Sequence, residues 1–287
     1  MVKQDRPDDV RRRQTRKRLL WLVGAVIVAA LLIVLPSLSD AADDYTGIEE
    51  HFKYGSIGSE PANGIPYWIW QALPVLFADK LPGKGYGSLG FIYEAGRDRP
   101  VGFSKRRVFI DRIALNCGVC HTGTVRDTPD GSPRVITGMP ANTMNLMNYT
   151  KFLIAAAQDE RFSPDQMLDA IKQVGGNLGP IERFIYRRYA IPQTREALLG
   201  VATRLEFLKR QPDWGPGRVD TFNPYKALQF NFPMAKLGDE EIIGTVDLPS
   251  IWMQRPREGM QLHWDGDNTS VEERNKPWHL GVPDIRT

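Results

Sequence analysis

The sequence predicts a mainly α-helical fold with long irregular loops, preceded by one transmembrane helix at the N-terminus. Three observations favour this fold class. Signals that start and end helices cluster after residue 140, whereas the period-two alternation typical of strands is scarce. A long uncharged apolar run lies near the N-terminus. The 26 Gly and 21 Pro residues indicate much irregular connecting chain.

Residues 1–18 form a basic tail, which we expect to lie in the cytoplasm. The tail contains eight Lys/Arg and three Asp/Glu, so it accounts for the formal charge of +3 on the whole chain. The remaining residues have no excess of basic side chains. This charge distribution argues against a nucleic-acid partner.

Residues 19–35 are an apolar run of 17 residues without a charge, and Pro36 follows it. This length is the short limit for a membrane-spanning helix and slightly long for the core of a signal peptide. An uncleaved anchor and a cleaved signal therefore both stay open. The basic tail predicts that the chain after the run is exported, which in a bacterium places it in the periplasm at the inner membrane.

Residues 36–104 form a lead-in rich in aromatic residues, Gly and Pro, which we expect to pack on the domain that follows at residues 105–275. Its glycines at 85, 87 and 90 match G-x-G-x-x-G. A dinucleotide-binding site needs a strand before this pattern and a helix after it, and the sequence indicates neither. We therefore interpret the match as chance.

The domain contains Cys117-Gly-Val-Cys120-His121, a C-x-x-C-H motif that is typical of c-type haem attachment. Two thiols at this spacing can each form a thioether with one vinyl group of the porphyrin. The adjacent histidine can then bind the iron as the proximal ligand. The motif predicts one covalent haem c, held by Cys117 and Cys120, with His121 as axial ligand of the iron.

Other uses of this cysteine pair fit the sequence less well. The chain has only two cysteines, so no second pair completes a four-ligand zinc site. A thioredoxin-like redox pair is expected within a βαβ pattern, which the flanking residues lack. A structural disulfide or a chance match stays open as an alternative.

The residues around the motif predict its local setting. Residues 105–115 indicate a short helix or strand that leads into the motif, and residues 122–140 are predicted to be loop. Three helices are then expected: one capped by Asn142, one that begins at Ser163-Pro164 and ends at Gly175-Gly176, and one over residues 192–210.

Three side chains are candidates for direct interactions with the haem. Met139 and His263 are possible sixth ligands of the iron, although a packed loop methionine and a histidine that braces a turn are the simpler interpretations. Arg218 either pairs with a haem propionate or forms an ion pair with Asp220 or another acid. These alternatives stay open at the level of sequence.

We predict that an aromatic wall, rather than a permanent sixth ligand, covers the distal side of the haem. The wall is expected from residues 207–222, where glycines at 215 and 217 allow the backbone to bend close to the porphyrin. Trp214 and Phe222 would then be the apolar walls. The iron would keep an open or water-bound position.

Three stretches besides C-x-x-C-H are distinctive: FKYGSIG with GIPYW at residues 52–68, WGPGRVDTFNP at residues 214–224, and LHWDGDN at residues 262–268. Together they resemble dihaem c-type cytochromes similar to bacterial rubber oxygenase, which are distant relatives of dihaem cytochrome c peroxidases. The resemblance spans roughly residues 47–275. It implies a helical cytochrome c-like fold, two haems, and redox or oxygen chemistry. It also implies that Phe222 lies close to the oxygen-binding face.

The chain departs from this family in one respect. The family has a second C-x-x-C-H after the LHWDG stretch, whereas this chain has no further cysteine and its residues 276–287 do not continue the pattern. We therefore expect a truncated or split chain, with the second-haem region on a separate chain. Electron passage between two haems cannot be assigned to this polypeptide alone.

Two functions are consistent with these patterns. The first is electron transfer by a membrane-anchored c-type cytochrome, in which the protein sets the haem potential and an unidentified protein is the redox partner. The second is an enzyme that binds O₂ or peroxide at an open distal position. An anchored assembly subunit with a structural haem is a third, weaker interpretation.

Overall fold

The computed structural model describes residues 16–18, 20–24, 40–43, 45–262 and 269–271. Within these residues the chain forms a mixed α/β fold, so the prediction of a mainly α cytochrome c-like domain is wrong. Eight strands form three antiparallel sheets. The strands are β1 Ala41–Ala42, β2 Ile65–Pro66, β3 Phe103–Val108, β4 Ile110–Leu115, β5 Thr122–Val125, β6 Arg134–Thr137, β7 Arg218–Asp220 and β8 Thr245–Asp247.

The largest sheet has the strand order β1-β3-β4-β2 and leads directly into the C-x-x-C-H motif. Its centre is the β3–β4 hairpin, in which Phe103 pairs with Leu115 and Val108 pairs with Ile110. Phe109 makes the turn alone, with φ at 64°. The segment 105–115, which the sequence left open as helix or strand, is therefore a strand hairpin.

The segment 122–140, predicted to be loop, contains the second sheet. Strands β5 and β6 pair from Thr122↔Thr137 to Val125↔Arg134. The β-branched Thr and Val residues in both strands favour extended backbone, and the Asp, Gly and Pro residues between them favour a turn. The prediction failed here because the turn-forming residues outweighed the signal of two strands of only four residues each.

The helices are α1 Ile48–Tyr54, α2 Glu60–Asn63, α3 Tyr67–Leu76, α4 Leu146–Gln158, α5 Pro164–Gln173, α6 Pro180–Ile185, α7 Ile191–Arg204 and α8 Asn223–Gln229. The prediction for α5 is confirmed, with Ser163 as N-cap and Pro in the first turn. The cap of α4 is Asn145 rather than Asn142. Helix α7 ends at Arg204 and a short 3₁₀ segment follows it, so the predicted continuous helix to residue 210 is shorter.

One hydrophobic core joins the lead-in to the residues that follow the motif. Trp70 of α3 stacks on Tyr86 with ring centroids 4.3 Å apart, and its indole N–H donates to the Tyr149 hydroxyl of α4 at 3.0 Å. Strand β2 of the lead-in also pairs with β4. The aromatic residues of the lead-in therefore build the scaffold that holds the motif.

The structure does not show the predicted N-terminal transmembrane helix among the residues that it describes. In the part of the chain that the structure describes, no helix is long and apolar enough to cross a membrane. The run that predicted it, residues 19–35, is described only at residues 20–24 and otherwise lies outside the described residues.

Candidate functional site

The C-x-x-C-H motif forms a tight turn at the end of β4. Cys117–Val119 is a single 3₁₀ turn, closed by hydrogen bonds from the amides of Cys120 and His121 to the Cys117 carbonyl. The side chain of Asn116 caps the turn because its Oδ1 accepts the Gly118 N–H at 2.9 Å. The turn therefore holds both cysteines and the histidine in one fixed local geometry.

Helix α1 supports the turn from behind. The Asn116 amide donates to the carbonyl of Gly55 at 3.0 Å and to that of Lys53 at 3.4 Å. Lys53 in turn bonds Glu94 at 2.9 Å, and the Tyr54 hydroxyl donates to Glu94 at 2.7 Å. The FKYGSIG stretch that carried part of the family resemblance thus lies against the motif.

Gly102 allows the backbone before β3 to pass directly behind the turn. Its φ is +89°, and a Cβ at this position would lie 2.3 Å from the backbone N and Cα of Val119. Its amide donates to the Lys53 carbonyl at 2.8 Å, and its carbonyl accepts the Asn116 N–H at 2.9 Å. Any larger residue would push the turn away from α1.

The ring of His121 is oriented by a backbone group from the other end of the domain. Its Nδ1 lies 2.9 Å from the carbonyl oxygen of Pro249. Because a carbonyl can only accept, Nδ1 carries the proton, and the lone pair of the neutral ring belongs to Nε2. A metal-binding histidine is commonly fixed in this way, with one nitrogen donating to a carbonyl while the other binds the metal.

A cavity of about 660 Å³ lies beside the motif. Ligand sites of proteins commonly occupy about 300–1,000 Å³, so this space is of the size that a cofactor requires. Its walls are mainly apolar, with a few polar groups. The lining residues include Cys120, His121, Val219, Thr221, Phe222, Val246, Asp247, Leu248, Pro249, Gln254, Arg257, Met260, Gln261 and Leu262.

Both cysteines have thiol pKa values above the ordinary value. Both are free, so the alternative of a structural disulfide does not describe this structure. Burial, together with a smaller contribution from the nearby Cys117, raises the pKa of the Cys120 thiol to about 12. Catalytic and redox dithiols have lowered thiol pKa values, so the site does not favour that use.

Phe222 lies in the wall of the cavity that Cys120 and His121 also line. Its position follows from Asp220 at the end of β7. Asp220 Oδ1 accepts the backbone N–H groups of Phe222 and Asn223, each at 3.0 Å. Its Oδ2 accepts the Gln211 amide at 2.7 Å and the Asn223 amide at 2.8 Å.

Trp214 and Arg218 are not among the described residues that line the cavity. Trp214 is buried in a second core cluster, where its indole N–H donates to the Gln211 side chain at 3.0 Å. Arg218 pairs with Asp247 across β7 and β8 at 3.1 Å. Arg218 therefore forms an ion pair, and its partner is Asp247 rather than Asp220.

The two candidate sixth ligands are placed differently. Met139 packs beside β5, where its Cγ would lie 3.1 Å from a Cβ on Gly123, and it is not among the described lining residues of the cavity. His263 lies outside the described residues, directly after Leu262, which does line the cavity.

Sequence reasoning missed the segment from β8 to Leu262. This segment supplies the Pro249 carbonyl and two side chains that could meet the carboxylates of a porphyrin, Gln254 and Arg257. A backbone carbonyl leaves no residue-type signal in a sequence. The only available hint was that the segment lies between two of the distinctive stretches.

The described residues contain no group of three or more His, Cys, Asp and Glu side chains that could hold a metal ion by themselves. Comparison of the chain with protein-family models, curated proteins and solved structures found no match. Two thiols at vinyl spacing, a histidine with its lone pair on Nε2 and an adjacent apolar cavity fit a covalent haem.

Proposed function

We propose that this protein is a c-type cytochrome that binds one haem c through Cys117 and Cys120, with His121 as the axial ligand. One observation carries the proposal: the C-x-x-C-H turn borders a large apolar cavity, and the Pro249 carbonyl fixes the tautomer of His121. When bound, the haem supplies one-electron redox chemistry. The resemblance to dihaem cytochromes supports this assignment.

The residues of the chain then have distinct roles in the proposed site. The Pro249 carbonyl orients the imidazole and raises its basicity, which favours binding of Nε2 to a metal. The apolar lining lowers the local dielectric and thereby tunes the reduction potential. Arg257 can pair with a carboxylate of the porphyrin, a role that was one of the two open interpretations of Arg218.

Electron transfer is the activity that we place first. Cys117 is exposed, so a porphyrin attached to it would lie close to the protein surface, where another redox protein can approach. We further propose that residues 19–35 attach the protein to the bacterial inner membrane and that the haem faces the periplasm, which agrees with the basic tail and with the export that haem c attachment requires.

An enzyme that uses O₂ or peroxide is the second candidate. Phe222 lines the cavity together with His121, whereas Met139 packs on the β5–β6 hairpin. An aromatic ring provides no strong ligand, so this arrangement favours a haem with an open distal position. The same position carries a phenylalanine in the resembled rubber oxygenases.

Covalent attachment is tested by haem staining of the denatured protein after electrophoresis. The wild-type chain, produced in the periplasm with haem maturation, should keep the stain, whereas Cys117→Ala/Cys120→Ala should lose it because no thioether can form. His121→Ala serves as the control, since it removes the axial ligand and leaves both thiols. Equal staining of the double cysteine variant would contradict the proposal.

The two candidate activities are distinguished by the visible spectrum of the same holoprotein. If carbon monoxide leaves the spectrum of the reduced haem unchanged, both axial positions are occupied, which supports electron transfer alone. A spectrum that shifts on addition of carbon monoxide has an open position and supports the oxygen- or peroxide-using enzyme.

A further inference from the structure

The helical segment 180–190 carries an unusual combination of exposed aromatic and basic side chains. Ile181, Phe184 and Tyr189 are each more than half exposed. The same segment contains three arginines and a single acid. We propose that this segment, together with Phe109, forms a surface that binds an anionic phospholipid bilayer; we name it the aromatic–arginine surface.

The backbone turns this surface outward. Helix α6 continues into α7 through one π-helical turn, Tyr186–Ala190, in which the Ile191 N–H bonds the Tyr186 carbonyl five residues earlier. Pro192 lacks an N–H and therefore disfavours regular α-helical bonding at this point. Because of the wider turn, Phe184 and Tyr189 lie side by side with ring centroids 6.3 Å apart, while Tyr186 and Ala190 face the core.

The charges of the surface complement anionic lipid. Arg187 forms an ion pair with Asp165 at 2.6 Å, whereas Arg183 and Arg188 are exposed beside the aromatic pair. Aromatic rings and basic side chains on one exposed helical face are typical of segments that lie in a membrane interface. The rings enter the headgroup region, and the guanidinium groups bind lipid phosphates.

The surface also lies near strand β1, which pairs with β3. Burial raises the pKa of Glu182 in α6 and the charge of Arg107 in β3 opposes it, so the two residues are neighbours. Arg107 pairs with Ala41 of β1, and the exposed Phe109 follows two residues later. Residue 35 precedes Ala41 by six residues. A chain of that length spans at most about 20 Å, which limits how far residue 35 can lie from Ala41 in β1. This inference rests on the membrane attachment proposed above.

The test uses the full-length holoprotein in nanodiscs of phosphatidylcholine, in nanodiscs that also contain phosphatidylglycerol, and in detergent micelles. Hydroxyl-radical footprinting with mass spectrometry measures the accessibility of Phe184 and Tyr189. Oxidation of both should fall in the anionic nanodiscs, relative to the other two preparations. Phe230, which is exposed directly after helix α8, is the internal reference and should not change.

Arg183→Gln/Arg188→Gln should restore the oxidation of Phe184 and Tyr189 in anionic nanodiscs, because loss of two basic side chains weakens surface binding by about 30-fold. Lys84→Gln/Arg126→Gln removes the same charge elsewhere and should have no effect. Equal oxidation in all three preparations would overturn the proposal. Protection of Phe184 and Tyr189 that does not depend on anionic lipid would also overturn it, and so would protection in micelles. Such protection would indicate that the chain itself or a second copy covers the two rings.

Retention of the protein in phosphatidylcholine nanodiscs is scored separately. A chain that is not retained there contradicts attachment through residues 19–35. The footprint in anionic nanodiscs still reports on the aromatic–arginine surface, so the two proposals fail in distinguishable ways.

Discussion

At the scale of single residues, the C-x-x-C-H turn depends on Gly102. Gly102→Ala introduces a Cβ within 2.3 Å of the Val119 backbone and places it at a φ of +89°. The positive φ costs about 1–2 kcal/mol and the overpacking about 1–3 kcal/mol, so we expect a loss of about 2–5 kcal/mol in the free energy of unfolding. Urea denaturation measures this loss, and haem content per chain should fall with it.

The matched control is Gly96→Ala. Gly96 has a φ of +77° but no atom within 4 Å of a built Cβ. It therefore incurs the backbone cost of about 1–2 kcal/mol without the contact. If Gly102→Ala destabilises the protein no more than Gly96→Ala does, close packing behind the turn is not what holds it.

At the scale of elements, the end of β7 fixes one wall of the cavity. Asp220 is buried and accepts four N–H groups, two on each carboxylate oxygen. Asp220→Asn replaces one carboxylate oxygen with an NH₂ group. The two N–H groups that this oxygen accepted would then face another hydrogen-bond donor. Each buried donor left without an acceptor costs about 1–3 kcal/mol. We expect lower stability in urea. We also expect an altered haem spectrum, because the Phe222 backbone N–H is one of the groups that Asp220 holds in place.

Asp213→Asn provides the comparison for this variant, since Asp213 is an exposed acid in the loop that precedes β7. It should leave both stability and spectrum unchanged. Wild-type stability in Asp220→Asn would show that the network does not hold β7 and Phe222 in place.

At the scale of the whole molecule, the ion pairs of Glu94 and Asp98 near the motif predict that the protein is less stable at acid pH. Burial raises the pKa of Glu94, but hydrogen bonds from Lys53 and Tyr54 outweigh it and the net pKa is lowered. The pKa of Asp98 is lowered in the same way, where Arg99 and Tyr67 outweigh its burial. A carboxyl whose pKa is lower in the folded state stabilises the fold above its unfolded pKa and loses this contribution as the pH falls.

The free energy of unfolding should therefore fall as the pH drops below about 4.5, the ordinary pKa of a glutamate. Urea denaturation over a pH series measures this dependence. Glu94→Gln should flatten it, while Glu160→Gln, at an exposed site, should not. An unchanged slope in Glu94→Gln would contradict a role of this carboxylate in holding α1 against the motif.

The sequence determined the features whose cause is local. Cap and proline signals located α5 because they act within one helical turn. The five-residue C-x-x-C-H pattern identified the candidate site because the spacing of thiols and imidazole is itself the chemistry. Phe222 was expected at the haem, and the cavity wall that it shares with His121 is consistent with this.

Only the tertiary structure decided what depends on distant partners. The hairpin 103–115 gains its hydrogen bonds from pairing, and β1 joins it from more than sixty residues away, so no short window shows the sheet. The carbonyl that fixes His121 comes from Pro249, 128 residues later, and carries no side-chain signal. Trp214 and Arg218 have residue types suited to a haem, but packing gave them other partners. Local chemistry can be read from the chain, whereas partners are selected by the free energy of the whole fold.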